Sequence, residues 1–128
     1  MIILGLNAYC GDASACLVRD GVLIIAVEEE RFRRIKHWAG FPAGAIRYCL
    51  RQAGVRLTDI DHVAINSDPK AQLFERVFFA LRNRPNVRLV LDRLRNQRKR
   101  SSVAVELVAA SPGDDFRGKI HRVEHHLA

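Results

Sequence analysis

MIILGLNAYCGDASACLVRDGVLIIAVEEERFRRIKH, residues 1–37, is the stretch whose reading decides the fold. Residues 2–6 are apolar on both faces, the pattern of a strand inside a covered sheet. Residues 7–14 then supply Asn, Gly, Asp and Ser, which turn a chain and offer backbone N–H groups outward. Residues 13–19 read as a second strand and residues 22–28 as a third. Between them, Asp20-Gly21 is a two-residue hairpin signal, because both residue types accept the positive φ of a type I′ turn. The third strand runs into Glu28-Glu29-Glu30.

Outward from that stretch, residues 31–40 read as a polar connection, and Phe41-Pro42 opens a helix with Pro42 in its first turn, where a missing N–H costs little. Ile46, Cys49, Leu50 and Ala53 recur on one helical face, and Gly54 suits the position that ends such a helix. Residues 57–61 form a loop and HVAIN, residues 62–66, a short buried strand. A strand, a helix and a strand of these lengths predict a parallel crossover beside the first hairpin. Asp68-Pro69 opens a second helix that Pro85 ends, Val87, Val90, Leu91 and Leu94 mark a third amphipathic stretch, and residues 103–110 prolong or repeat it. Residues 111–118 are a loop, and residues 119–124 a fifth strand. This order of elements predicts an α/β fold: a mixed sheet of about five strands with an N-terminal three-strand meander and flanking helices, of the ribonuclease-H or actin-like ATPase type.

Length and composition agree with one domain. A chain of 128 residues buries roughly two thirds of its unfolded surface. No run approaches the ~20 apolar residues of a membrane helix, and no basic region precedes the first apolar run, so neither membrane nor secretion is expected. Cys10, Cys16 and Cys49 are an odd set without zinc-like spacing, which points to reduced thiols in the cytoplasm. The net charge of +7 is local: residues 82–100 carry eight basic side chains against Asp92, and the remainder is balanced. Nucleic-acid binding through 82–100 is one reading of that stretch and a solvated arginine face the other. No aromatics are interleaved to stack on bases, so nucleic acid is not the expected partner.

Four places carry possible chemistry. Successive N–H groups of the 7–14 turn can form an anion-binding concavity, with Asp12 and Ser14 adding an acceptor and a donor, or the segment is an ordinary turn. Glu28-Glu29-Glu30 either meets a metal or substrate hydroxyls or is a solvated strand end. His121, His125 and His126 are candidate metal ligands, with His125 at the end of the last strand, where sites in open sheets collect. Lys36 and His37 stand on a loop where they can meet a phosphate or a carboxylate.

The strings GLNAYCGDASACLVRDG, AVEEERFRRIKHWAGFP and VEHHLA resemble the N-terminal part of the nodulation and antibiotic-tailoring O-carbamoyltransferases, relatives of the tRNA threonylcarbamoyl transferase. The resemblance implies the first lobe of an actin-like ATPase domain. It implies that carbamoyl phosphate and ATP yield carbamoyl-adenylate in a separate adenylate-forming domain. The carbamoyl group then passes, near a divalent metal such as iron, to the hydroxyl of a sugar or antibiotic-type acceptor. Asn7, Asp12, Ala13, Ser14 and His37 would line the nucleotide and carbamoyl pocket, Lys36 would contact the activated carbamoyl or phosphate, and His125 would be the first metal ligand. The family turn commonly has a histidine where this chain has Cys10, a weak substitute near neutral pH. Residues 1–128 are thus expected to be a partial N-terminal domain without the second lobe or the adenylate-forming domain, and inactive alone. A sugar-kinase-like ATPase lobe is the alternative of the same fold, for which AYCGDAS is a poor phosphate turn.

Overall fold

The computed structural model describes residues 1–66, 82 and 103–123. The chain divides into two compact units, one of residues 1–67 with 103–128 and one of residues 68–102. The helices expected over 68–94, the arginine row apart from an exposed Arg82, and His125 and His126 lie outside the described residues.

The first unit is built on β1 (Ile2–Asn7), β2 (Ser14–Arg19), β3 (Val22–Glu28), α1 (Glu30–Arg33), α2 (Ala43–Ala53), β4 (His62–Ile65), α3 (Val103–Ala110) and β5 (Lys119–Arg122). The sheet order is β3-β2-β1-β4-β5. β1, β2 and β3 form an antiparallel meander, and β4 and β5 add on in parallel. This mixed five-stranded sheet with its crossover is the α/β arrangement that the element order predicted. The Asp20-Gly21 turn has positive φ at both residues, 51° and 82°, as a type I′ turn requires.

Side chains alternate across the strands and so sort onto two faces. Leu4 and Leu6 of β1, Ala15 and Leu17 of β2, and Val63 and Ile65 of β4 are buried on one face. They join Ala45, Ile46, Cys49 and Leu50 of α2 and Val103 and Leu107 of α3 in one hydrophobic cluster. The expected stripe of α2 is therefore the face it buries, with Ala53 packed at its margin. Gly54 ends the helix in the left-handed region. The opposite face carries Gly5, Asn7, Ser14, Cys16, Ala26, Glu28, Ala64 and Asn66 at matching register positions, a row of small and polar residues.

Four local expectations are corrected. The connection 31–40 begins with one helical turn, α1, closed by a backbone bond from Arg34 to the Glu30 carbonyl. Pro42 stands one residue before α2, where its carbonyl accepts from Ile46 N–H. The loop 57–61 contains a 3₁₀ turn, Leu57–Asp59. The fifth strand ends at Arg122, two residues earlier than expected.

The acidic triplet is not simply a solvated strand end. Glu28 is exposed, but Glu29 is only 1% exposed. Its Oε1 accepts from the Gly44 N–H at 3.1 Å and its Oε2 from the Ala45 N–H at 2.7 Å. Arg33 Nε donates to Oε1 at 3.0 Å. A helix start leaves its first N–H groups without intrahelical partners and carries partial positive charge. Pro42 offers no side-chain cap there, so a carboxylate from another element does it. Glycine at 44 leaves room for this contact, since a Cβ there would stand 3.0 Å from Glu29 Oε1.

Candidate functional site

The C-terminal ends of β1 and β4 lie side by side, and each is followed or finished by an asparagine. Asn66 accepts the Ala8 N–H on Oδ1 at 3.1 Å and donates its amide to Asn7 Oδ1. Asn7 in turn donates to the carbonyls of Gly11 at 3.3 Å and Asp12 at 2.9 Å. This relay shapes the turn that links β1 to β2. The loop after α1 is tied to the same turn: Tyr9 N–H donates to Gly40 O at 3.1 Å and Ala13 N–H to Trp38 O at 3.0 Å. Ala13 O accepts from Glu29 N–H at 2.8 Å, which joins the turn to the buried carboxylate. Arg33 lies 4.3 Å from the Trp38 ring centroid, a cation–π contact that steadies the loop from its other side.

The anion-binding reading of the turn changes accordingly. The N–H groups of Ala8, Tyr9 and Ala13 are spent inside the fold. Those of Cys10, Gly11 and Asp12, at the tip, make no hydrogen bond among the described residues. Asn7 serves the turn's own backbone through its amide, and Ala13 is buried.

Asp12 and His37 meet across the two loops, with Oδ1 2.8 Å from Nδ1. Their side chains are 55% and 78% exposed, so the pair faces solvent. Lys36, beside His37, is exposed and forms no ion pair among the described residues. Cys10 is a free, half-buried thiol at the tip. The other two thiols are further from reactivity. Burial raises the Cys16 thiol above its ordinary value, and burial, then the neighbouring Cys16, pushes Cys49 up to about 11. A thiol is a nucleophile only as thiolate, so neither is poised for one.

Beside the turn lies an open groove of about 660 Å³ across the sheet's small-residue face. Asn7, Ser14 and Asn66 bring polar groups to it, Glu28 and Arg31 bound one side, and Gly5, Cys16, Ala26 and Ala64 keep its floor low. Of the residues singled out in the sequence, the fold thus gathers Asn7, Cys10, Asp12, Ala13, Ser14 and His37 around one turn. The sequence reading missed Asn66 and Trp38, and it named Glu29 only as one of three adjacent glutamates. One signal was available: two buried strands, IILGLN and HVAIN, both ending in asparagine. Among the described residues no group of three His, Cys, Asp or Glu stands close enough to hold a metal. None of the described helices is long and apolar enough to cross a membrane.

The family "Carbamoyltransferase N-terminus" matches residues 2–103, and the chain belongs to it. Among individual proteins, it is 55% identical over 58 residues to the nodulation protein NolNO of Sinorhizobium fredii, which covers 45% of this chain and 8% of that one. It is 48% identical over 75 residues to the uncharacterised protein sll1178 of Synechocystis, covering 59% of this chain and 12% of the relative. A 19.2 kDa protein of Rhizobium etli is 52% identical over 58 residues, 45% of this chain and 34% of that one. The chain therefore matches about a tenth to a third of the lengths of these relatives. Among solved structures, YeaZ from Pseudomonas aeruginosa superposes with a TM-score of 0.40 at 22% identity, over 53% of this chain and 29% of its own.

Proposed function

We propose that this chain is the part of an O-carbamoyltransferase that holds carbamoyl-adenylate while its carbamoyl group passes to a hydroxyl of a small sugar- or antibiotic-type acceptor. The family match over residues 2–103 carries the reading. The groove supports it, since its volume lies within the 300–1,000 Å³ usual for small-molecule sites. Carbamoyl phosphate and ATP are the proposed source of the adenylate, made by an adenylate-forming domain.

The residues have chemically reasonable roles. A carbamoyl carbonyl is a poor electrophile, and attack on it places negative charge on its oxygen. Lys36, exposed beside the turn, supplies a cation to that oxygen or to the adenylate phosphate, and the tip N–H groups, unbonded among the described residues, supply donors. Asp12 and Ser14 offer an acceptor and a hydroxyl to the nucleotide. Cys10 occupies the tip but is a weak hydrogen-bonding partner. A divalent metal, iron in this reading, would polarise the carbamoyl oxygen as a Lewis acid. His125, its proposed ligand, lies outside the described residues, and no role given to another residue depends on it.

The test is an assay of the full-length protein with radiolabelled carbamoyl phosphate, ATP and a panel of polyhydroxylated acceptors. The expected result is ATP-dependent transfer of label with release of AMP. Lys36→Ala should lower kcat by roughly 10²–10³, as loss of a donor to a developing oxyanion does. No AMP formed from ATP and carbamoyl phosphate, and no labelled acceptor, would reject the reading.

A further inference from the structure

We propose that Asp12 and His37 are a general-base dyad, in which His37 Nε2 takes the proton of the attacking acceptor hydroxyl and Asp12 positions the ring. The proposal rests on the carbamoyl-transfer reading and adds to it the group that activates the acceptor. Its first observation is the contact itself, Nδ1 of His37 at 2.8 Å from Oδ1 of Asp12. A carboxylate facing Nδ1 favours a proton on that nitrogen and leaves Nε2 with its lone pair outward. The second is exposure: both side chains face solvent, where an acceptor too large for a closed cavity can reach them.

The third observation is backbone conformation. Asp12 has φ 62° and His37 φ 55°, both in the left-handed region. Tyr9, in the same turn, has φ 62°. Each such residue costs on the order of 1 kcal/mol or more and persists only where its surroundings hold it. The surroundings here are explicit: Tyr9 N–H to Gly40 O and Ala13 N–H to Trp38 O bracket the dyad from both sides. A segment that only had to turn would carry glycine at 12 and 37 more cheaply. The chain instead presents a carboxylate and an imidazole there, each on a loop held by the other.

The step balances without an added reagent. The acceptor oxygen forms a bond to the carbamoyl carbon while its proton moves to Nε2. The bond from that carbon to the adenylate phosphate oxygen breaks, and AMP leaves with the electron pair. The imidazolium then returns its proton to solvent. Lys36, next in sequence to His37, is free to meet the phosphate while the ring meets the hydroxyl.

Three variants of the full-length protein test this. His37→Ala should lower kcat for transfer by roughly 10²–10⁴, the usual contribution of a general base, with KM for the acceptor little changed. Added imidazole should restore part of the rate. His37→Gln keeps a donor toward Asp12 but has no basic nitrogen. It should be as slow as His37→Ala, whereas a purely structural role would be rescued by it. Asp12→Gly accepts the observed φ without strain and removes only the carboxylate. It should lower kcat less than loss of the ring. In ¹⁵N spectra of the imidazole, it should also convert His37 from mainly the Nδ1–H tautomer to a mixture. Wild-type kcat in His37→Gln, or an unchanged tautomer in Asp12→Gly, overturns the dyad while leaving the carbamoyl-transfer reading intact. A wild-type protein that forms no AMP and transfers no carbamoyl group defeats both.

Discussion

Two carboxylates meet the same pair of loops with opposite outcomes. Glu29 is enclosed, with its oxygens committed to two helix N–H groups and to Arg33. Asp12 is exposed and has a single side-chain partner among the described residues, His37, itself exposed. The difference teaches how the site is made. A buried charge is tolerated only when its lone pairs are satisfied, and once satisfied it locks the elements that satisfy it. Glu29 thereby joins β3, α1 and α2, and its backbone N–H holds the Ala13 carbonyl, so the site turn is fixed from beneath. Asp12, in high dielectric, contributes little to stability.

The strongest way to break the comparison is Glu29→Ala. It strips two helix N–H groups and Arg33 of their acceptor. We expect a loss of about 2–3 kcal/mol, the sum of a lost helix cap and unsatisfied buried donors, read from urea unfolding midpoints. A loss below 0.5 kcal/mol, the range of ordinary surface substitutions, would remove Glu29 from its structural role. Gly44→Ala comes next. Its new Cβ would press on Glu29 Oε1, and we expect a net cost of about 1 kcal/mol despite the better helix propensity of alanine. In a Glu29→Ala background the same change should cost less, with the Phe32 Cβ at 3.1 Å as the remaining close neighbour. An additive double-mutant cycle would show that the two residues do not share the contact.

A third carboxylate sharpens the contrast. Asp114 accepts from Arg56 Nε at 2.9 Å and Nη2 at 2.5 Å. The Arg56 hydrogen bond, aided by the Leu57 N–H and the Arg56 charge, outweighs desolvation and holds its carboxyl below the ordinary value of 3.8. A depressed folded-state value means stability that is fully present above 3.8 and is lost as pH falls through the lowered value. Acid titration of wild type and Arg56→Ala should therefore diverge above that window and converge below it. Curves that stay parallel to the lowest pH would exclude the linkage. The smallest effect is expected at Asp12→Asn. Asparagine tolerates the left-handed backbone there, and the unfolding midpoint should move by less than about 0.5 kcal/mol. A shift as large as that of Glu29→Ala would erase the distinction between the two carboxylates.

Much of this fold was legible because its signals are local. The meander follows from alternation and from Asp20-Gly21, whose conformation depends on two residues. The α2 stripe, Ile46, Cys49 and Leu50, is a helical period with an apolar face, and that face is the one buried. The parallel crossover follows from the length of chain between β1 and β4. The site was legible as a set of residues around the 7–14 turn, but its wiring was not. Three adjacent glutamates look alike in sequence, and only the approach of α2's start selects the middle one. The asparagine relay requires β4 to lie beside β1 in one register, which sets Asn66 against Asn7.

By itself, the sequence determined the three-strand meander, where the hairpin turns, which face of α2 is buried and, through its resemblance, the family. These rest on backbone preference and periodicity, which act within a few residues. The tertiary structure alone decided that Glu29 is a cap, that half of the turn's N–H groups are spent inward, and that Asp12 faces His37. Each of those depends on groups brought within 3 Å or so from loops far apart in the chain, and such distances are set by the packing of the whole sheet against its helices.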